Sequence, residues 1–243
     1  MDIKRFFKWF FSVRRCGGCG EILDYEHADG AFCPKCYLKW KIAKTVSCPK
    51  CSQSALECLC SPKGLERTGI ICLIKLYFYS ADKAGQPQNR LLYRIKRNRN
   101  KRLSYFIADE LRDKLLSELA VLELDPEKDV LIVNVPRGRQ AKRTYGFDQS
   151  ELICKCLSEK TGIPYGKIIK RAKESREQKK LTKDKRFRNV SASFLCKESV
   201  EGRYVVLFDD VVTTGASMAA CTNLLKKAGA KGIICVCMAS VAK

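Results

Sequence analysis

Histidine is almost missing from this sequence: the 243 residues contain only His27. Any metal site must therefore be built mainly from thiols or carboxylates. Long apolar runs are missing too. The aromatic start, Met1 to Phe11, is interrupted by Lys4, Arg5 and Lys8 and is too short for a signal h-region or a membrane-spanning helix. It could lie on a membrane surface, but it reads as an amphipathic cap on the fold. Acidic residues are scarce, 26 against 47 Lys and Arg, for a net charge of +21. Such a field favours polyanionic partners over neutral or cationic ones, although a basic balance also serves solubility. Apolar residues are plentiful, at 46% with 9% aromatic, which excludes a disordered chain. The length allows one large domain or two unequal ones.

Positive charge is concentrated. Residues 131–200 carry 18 basic and 7 acidic side chains, an excess of 11, more than half of the total. This stretch is the expected polyanion-facing surface.

Cysteine is abundant, with 15 in all, and eight of them fall within 45 residues: Cys16, Cys19, Cys33, Cys36, Cys48, Cys51, Cys58 and Cys60. Three C-x-x-C pairs and one C-x-C pair, flanked by Gly17, Gly18, Gly20, Pro34 and Pro49, have the form of metal-binding knuckles. Eight sulfurs make two tetrahedral Zn²⁺ sites, structural in role because neither leaves a position open. Sequential pairing joins the first four and the last four; a cross-braced pairing of alternate knuckles is the other arrangement. Iron–sulfur ligation is the rival chemistry. His27, between the first two pairs, reads as a loop residue and not a ligand. The other seven cysteines lie mostly among apolar neighbours and read as core residues in a reducing compartment.

Beyond the cysteines the pattern becomes α/β. Thr68–Ser80 predicts a strand or strand pair, and 90–102 one amphipathic basic turn. Ser104–Leu122 predicts a helix with Ile107, Leu111, Leu115, Leu119 and Leu122 on one stripe. Val130–Val133, Tyr204–Phe208 and Gly232–Met238 predict buried parallel strands; Gln149–Leu157 and about Ser217–Ala228 predict helices between them. The order implies a doubly wound sheet with its ligand beyond the carboxyl ends of the strands. Asp209 and Asp210 end one such strand and are followed by Val212, Thr213, Thr214, Gly215 and Ala216 at the start of a helix. Two carboxylates can accept hydrogen bonds from a vicinal diol or hold Mg²⁺, and a Thr-Thr-Gly turn opening a helix suits a phosphate. Together they describe a ribose 5-phosphate site. The plainer alternative is a pair of helix-capping acids.

The stretch Val205–Gly215 resembles the phosphoribosyl pyrophosphate (PRPP) motif of type I phosphoribosyltransferases. With Val135-Pro136-Arg137, Tyr145–Leu152, Gln178, Leu181, Lys183, Arg186 and Asn189, and with the cysteine-rich start, the chain is similar to the ComF family of competence proteins. Three positions depart from that pattern: Asp148 stands where Asn is usual, Tyr145 where Arg is usual, and Cys58/Cys60 is one residue short of C-x-x-C. The resemblance implies a type I phosphoribosyltransferase-like parallel sheet flanked by helices, over 67–243, with a small zinc-ribbon module over 1–66. It implies two structural zinc ions, Mg²⁺ when PRPP is bound, ribose contacts from Asp209 and Asp210, and a phosphate cradle over Val212 to Ala216. The loop Val135, Pro136 and Arg137 would meet the pyrophosphate. It also implies a cytoplasmic protein that binds single-stranded DNA, or a nucleotide, during natural transformation through the PRPP-type ribose phosphate pocket and a basic surface, and works beside the DNA-processing proteins of competence. Lys179, Lys180, Lys183 and Arg186, within the basic run 167–188, would contact that DNA. Phe187 is the one aromatic available there, so backbone electrostatics would dominate over base stacking. The alternative function is an active Mg²⁺-dependent phosphoribosyltransferase. Its acceptor is not named by the sequence, because the chain is short for the hood elements that select one.

Overall fold

The computed structural model describes residues 13–80, 85–172 and 193–241. The predicted cap Met1–Phe11 and the DNA contacts Lys179, Lys180, Lys183 and Arg186 lie outside them, as do Gln178, Leu181 and Asn189. In chain order the elements are α1 (Pro34–Lys44), α2 (Lys63–Glu66), β1 (Cys72–Tyr79), α3 (Pro87–Arg97), α4 (Lys101–Val121), β2 (Val130–Asn134), α5 (Arg139–Tyr145) and α6 (Gln149–Thr161). These are followed by β3 (Ile169–Arg171), β4 (Phe194–Cys196), β5 (Tyr204–Val212), α7 (Ala216–Lys227) and β6 (Gly232–Val241).

Four strands form one parallel sheet in the order β1-β6-β5-β2, and β3 pairs antiparallel with β4 apart from it. Strand residues alternate between the two faces, as the pleat requires. Val206, Phe208, Ile234, Val236 and Met238 pack towards α4 and α6. Val205, Leu207, Ile233, Cys235 and Cys237 pack towards α7, Leu65 and Phe194. Both faces are covered, which explains why the strands read as continuous apolar runs. The register then sets the site: Asn134, the last residue of β2, pairs with Phe208, so the chain leaving β2 passes directly beside Asp209 and Asp210.

The cysteine-rich segment is built into this body. Cys16, Phe32, Cys36 and Trp40 belong to the same hydrophobic core as the sheet face above. Trp40 meets Tyr77 of β1 and Phe106 of α4 edge-on, with ring centroids 5.7 and 5.4 Å apart.

Several elements differ from the sequence expectation. The basic run is two helices, split at Asn98–Asn100, and the Asn100 side chain caps α4 by accepting from the Leu103 N–H at 3.1 Å. Leu91, Leu92 and Ile95 are buried beneath the charges and make α3 amphipathic. The strand over 68–80 is shortened to Cys72–Tyr79, since Gly69 takes a left-handed φ of 62°. Helices α1 and α5 and the β3–β4 pair were not anticipated; α1 opens with Pro34, which suits a first helical position. Among the described residues no helix is long and apolar enough to cross a membrane.

Candidate functional site

The eight clustered cysteines form two groups, Cys16/Cys19/Cys33/Cys36 and Cys48/Cys51/Cys58/Cys60, each with its sulfurs within 4.8 Å of one another. This is the sequential pairing. Tetrahedral Zn²⁺ with bonds of about 2.3 Å sets its sulfurs about 3.8 Å apart. Cys16–Cys33 and Cys19–Cys33 are each 3.8 Å apart, so the first group fits such an ion. One thiol in each group is primed. Burial alone would raise Cys16, but the N–H groups of Cys33, Cys19 and Gly18 outweigh it and bring the thiol down to about 7. Cys48 behaves alike: against desolvation, the N–H groups of Cys51 and Lys50 bring it down to about 7. The knuckle turns thus supply a thiolate near neutral pH, the form that binds a metal. His27 stands apart, with its Nδ1 2.7 Å from Asp24.

The second group has a feature that the sequence reading missed. Lys75, in the middle of β1, is 1% exposed. Its ammonium donates to the carbonyl oxygens of Cys58 at 2.6 Å and Cys60 at 3.0 Å. A cation inside the sheet is thereby tied to the C-x-C pair. The signal was available: a lone lysine in the apolar run CLIKLYFY.

At the carboxyl ends of β2 and β5 lies a cavity of about 310 Å³. Asp209 and Asp210 line it, together with the whole predicted loop Val135, Pro136 and Arg137. Consecutive strand residues point to opposite faces, so the two carboxylates differ in surroundings. Asp210 accepts from the Gln149 side-chain amide, and Lys96 Nζ sits 3.2 Å from it. Asp209 accepts the Asp210 N–H at 2.9 Å. The residue is partly exposed while its carboxyl is hemmed in by protein; burial first, and the Asp210 charge second, push its pKa well above the usual carboxylate range. Gln149 Oε1 is buried and has no hydrogen-bond partner among the described residues.

Asp148 organises the facing loop. It accepts the N–H groups of Ser150 and Glu151 at the start of α6, and that of Arg137 at 3.0 Å, while Lys142 Nζ lies 3.3 Å away. Every partner is a donor, which a carboxylate satisfies better than an amide would. Tyr145, the other departure from the expected pattern, lies under the Arg137 guanidinium at 4.6 Å, and Arg137 also donates to the Lys96 carbonyl at 2.9 Å.

The Thr213–Gly215 turn separates this cavity from a second of about 400 Å³. Thr213 and Thr214 face the second one, Val212 is buried in the core, and Ser217 lines the first. Gly215 caps α7 with a left-handed φ of 81°. The linker leaving the second cysteine group props the turn from beneath: Gly64 N–H donates to the Thr214 carbonyl at 3.2 Å. Cys48, Lys50, Cys60 and Lys63 wall the second cavity, so the cysteine-rich segment covers a part of the strand ends for which the sequence suggested no hood. Sequence reasoning gave no pocket role to Lys96, Gln149, Arg171 and Ser217, although Gln149 stood in the Tyr145–Leu152 stretch and Lys96 and Arg171 in basic runs; the four come from four separate elements.

Residues 155–243 match the family described as phosphoribosyl transferase domain. The chain is 27% identical over 215 residues to the DNA utilization protein YhgH of Escherichia coli K12, covering 85% of this chain and 88% of that one. It is 25% identical over 198 residues to the competence protein ComFC of Bacillus subtilis, covering 78% and 75%. Among solved structures, a hypoxanthine phosphoribosyltransferase from Staphylococcus aureus is 12% identical over 58% of this chain and 65% of that one, with a TM-score of 0.38. Over most of its length the chain is thus similar to relatives named for competence and DNA utilization, and its C-terminal part to the phosphoribosyl transferase domain, which together support a ComF-family phosphoribosyltransferase-like protein.

Proposed function

We propose that this competence-related protein holds a PRPP-class phosphoribosyl group at the tip of β5 and handles single-stranded DNA on its basic surface. The observation that carries the reading is the juxtaposition of Asp209 and Asp210 with the Val135–Arg137 loop across one cavity. Asp209 and Asp210 accept the ribose hydroxyls, the turn Thr213 to Ser217 receives the 5-phosphate with its N–H groups and hydroxyls, and the loop N–H groups with Lys96 and Arg171 face the pyrophosphate. Gln149 Oε1, unpartnered among the described residues, is an acceptor left for the ligand. Mg²⁺, when bound with the substrate phosphates, neutralises their charge.

Chemistry also argues where DNA does not go. An internal deoxynucleotide has no 2′-hydroxyl and no free 3′-hydroxyl, so it gives the two carboxylates nothing to accept. DNA therefore belongs on the basic surface outside the pocket, where its backbone sets affinity and salt dependence. The names of the E. coli and B. subtilis relatives support a DNA-related role.

A second reading, transfer of the phosphoribosyl group to an acceptor, is favoured by one observation. The cavity of about 400 Å³ beyond the turn contains Phe78, Lys63 and Ser240 and has room for an acceptor.

Calorimetry with PRPP and Mg²⁺ tests the pocket. Wild type should bind, and Asp209→Asn/Asp210→Asn should lose at least tenfold in affinity; no binding by wild type would sink the phosphoribosyl reading. Release of pyrophosphate in the presence of candidate acceptors tests the transferase reading separately.

A further inference from the structure

Away from the strand tips, the first cysteine group meets α3 and α4 around a cavity of about 590 Å³. Arg14, Arg15, Arg94 and Arg102 line it, with Asn98 beside them and Asp29 as the only carboxylate among the described lining residues. Four guanidinium groups face one carboxylate across the cavity, an excess of positive charge along its lining. Like charges are normally kept apart unless an anion joins them.

The pocket is also built. Arg102 donates to the carbonyls of Gly30 and Arg15, Arg15 to that of Gly20 at 3.2 Å, and Arg14 to Asp29 and to the Ala28 carbonyl at 3.2 Å. These bonds fix the arginines against the knuckle backbone but use only part of the five N–H donors that each carries. Arg94 is packed against the same knuckle, because a Cβ on Gly20 would fall on its guanidinium.

From this geometry we infer that the arginine cavity between the first cysteine group and the α3–α4 junction binds the phosphodiester backbone of single-stranded DNA. A polymer fits better than a free phosphate for one reason. Arg14 and Arg15 of the first knuckle, Arg94 and Asn98 at the end of α3, and Asn100 and Arg102 at the start of α4 line one cavity, so its donors are spread over more than a single phosphate can engage. Asn98 and Asn100, which line the same cavity, continue the polar track along the loop to α4.

The inference rests on the DNA-handling role proposed above, at a site distinct from the phosphoribosyl pocket. It is tested by fluorescence anisotropy of a labelled oligo-dT across a salt series, with wild type, Arg15→Gln and Arg15→Gln/Arg94→Gln. Metal content and melting temperature verify folding, and PRPP calorimetry monitors the other pocket. Losing two phosphate contacts should lower the slope of log K against log salt by about 1.4 and weaken binding about 25-fold at roughly 0.1 M salt, with PRPP binding unchanged. The single variant should show about half of that slope change. If wild type binds DNA and the folded double variant binds equally well with the same slope, the arginine cavity is not the site, although the DNA role stands. If wild type binds no oligonucleotide, both fail. If inorganic phosphate competes as well as the oligonucleotide per phosphate, the polymer claim is overturned.

Discussion

Replacing Lys75 by Met removes a cation from the interior of β1 while keeping the length and most of the volume of the side chain. The residue is 1% exposed and its ammonium donates to the Cys58, Cys60 and Leu73 carbonyls at 2.6, 3.0 and 3.4 Å. Four thiolates around Zn²⁺ leave a net negative charge, and Lys75 is the cation built against that site. Its charge also favours the thiolate of Cys58, although desolvation, the larger effect, holds that thiol up at about 12 without a metal. In the metal-loaded protein the substitution leaves the Cys58 and Cys60 carbonyls unpaired and removes the counter-charge, for a total of about 2–5 kcal/mol. For a chain of this size that lowers the melting temperature by roughly 5–15 °C. In the metal-free protein the same carbonyls are orphaned, but the tetrathiolate site that Lys75 balances is no longer there, so Met should cost clearly less than in the loaded protein. The assay is stepwise metal release by a graded chelator, read with a colorimetric dye, and melting with and without metal. The variant should release one metal early, from the Cys48/Cys51/Cys58/Cys60 group, and retain the other. Equal destabilisation of the loaded and metal-free forms, or unaltered release of both ions, would refute the coupling of the sheet to the second site.

Gly64→Ala would set a Cβ 2.4 Å from the Thr214 carbonyl, so the phosphate turn must shift; PRPP affinity should fall tenfold or more by calorimetry, with metal content unchanged. Asp148→Ala removes the α6 cap and the acceptor for the Arg137 N–H, and denaturant melts should show a loss of about 2–3 kcal/mol, whereas Asp148→Asn should lose less than half of that. Burial and the Asp210 charge raise the Asp209 pKa in the free protein, and a ribose diol needs that carboxyl ionised, so PRPP affinity should strengthen as pH rises towards the raised pKa. The same titration with Asp209→Asn separates this from ionisation of PRPP itself, since the variant must lose that part of the slope; an identical slope in both proteins refutes the linkage.

What was legible in the chain follows from how far apart the cooperating residues lie. The knuckles and the β5 tip are contiguous, so spacing alone identified the cysteines and pointed to Asp209 and Asp210. The opposite wall of the strand-tip cavity was half visible: Val135–Arg137 stood out through the family resemblance. Lys96 and Gln149 did not, because each reaches Asp210 from a remote helix and only the register of β2 beside β5 brings them together. In the basic run, charge density hid the apolar stripe of α3, and with it a helix that turns Lys96 to one cavity and Arg94 to another. Lys75 is the instructive case, because the pattern did contain the clue. A charged residue in the centre of a strand buried on both faces must be neutralised by something that the strand itself cannot supply. Here that partner is the second cysteine group, whose linker also supports the phosphate turn through Gly64. Metal occupancy and pocket geometry are thus joined by two short paths, one charged and one through backbone contact, so an isolated sheet without the cysteine-rich segment would lack both the charge partner of Lys75 and the prop beneath Thr214.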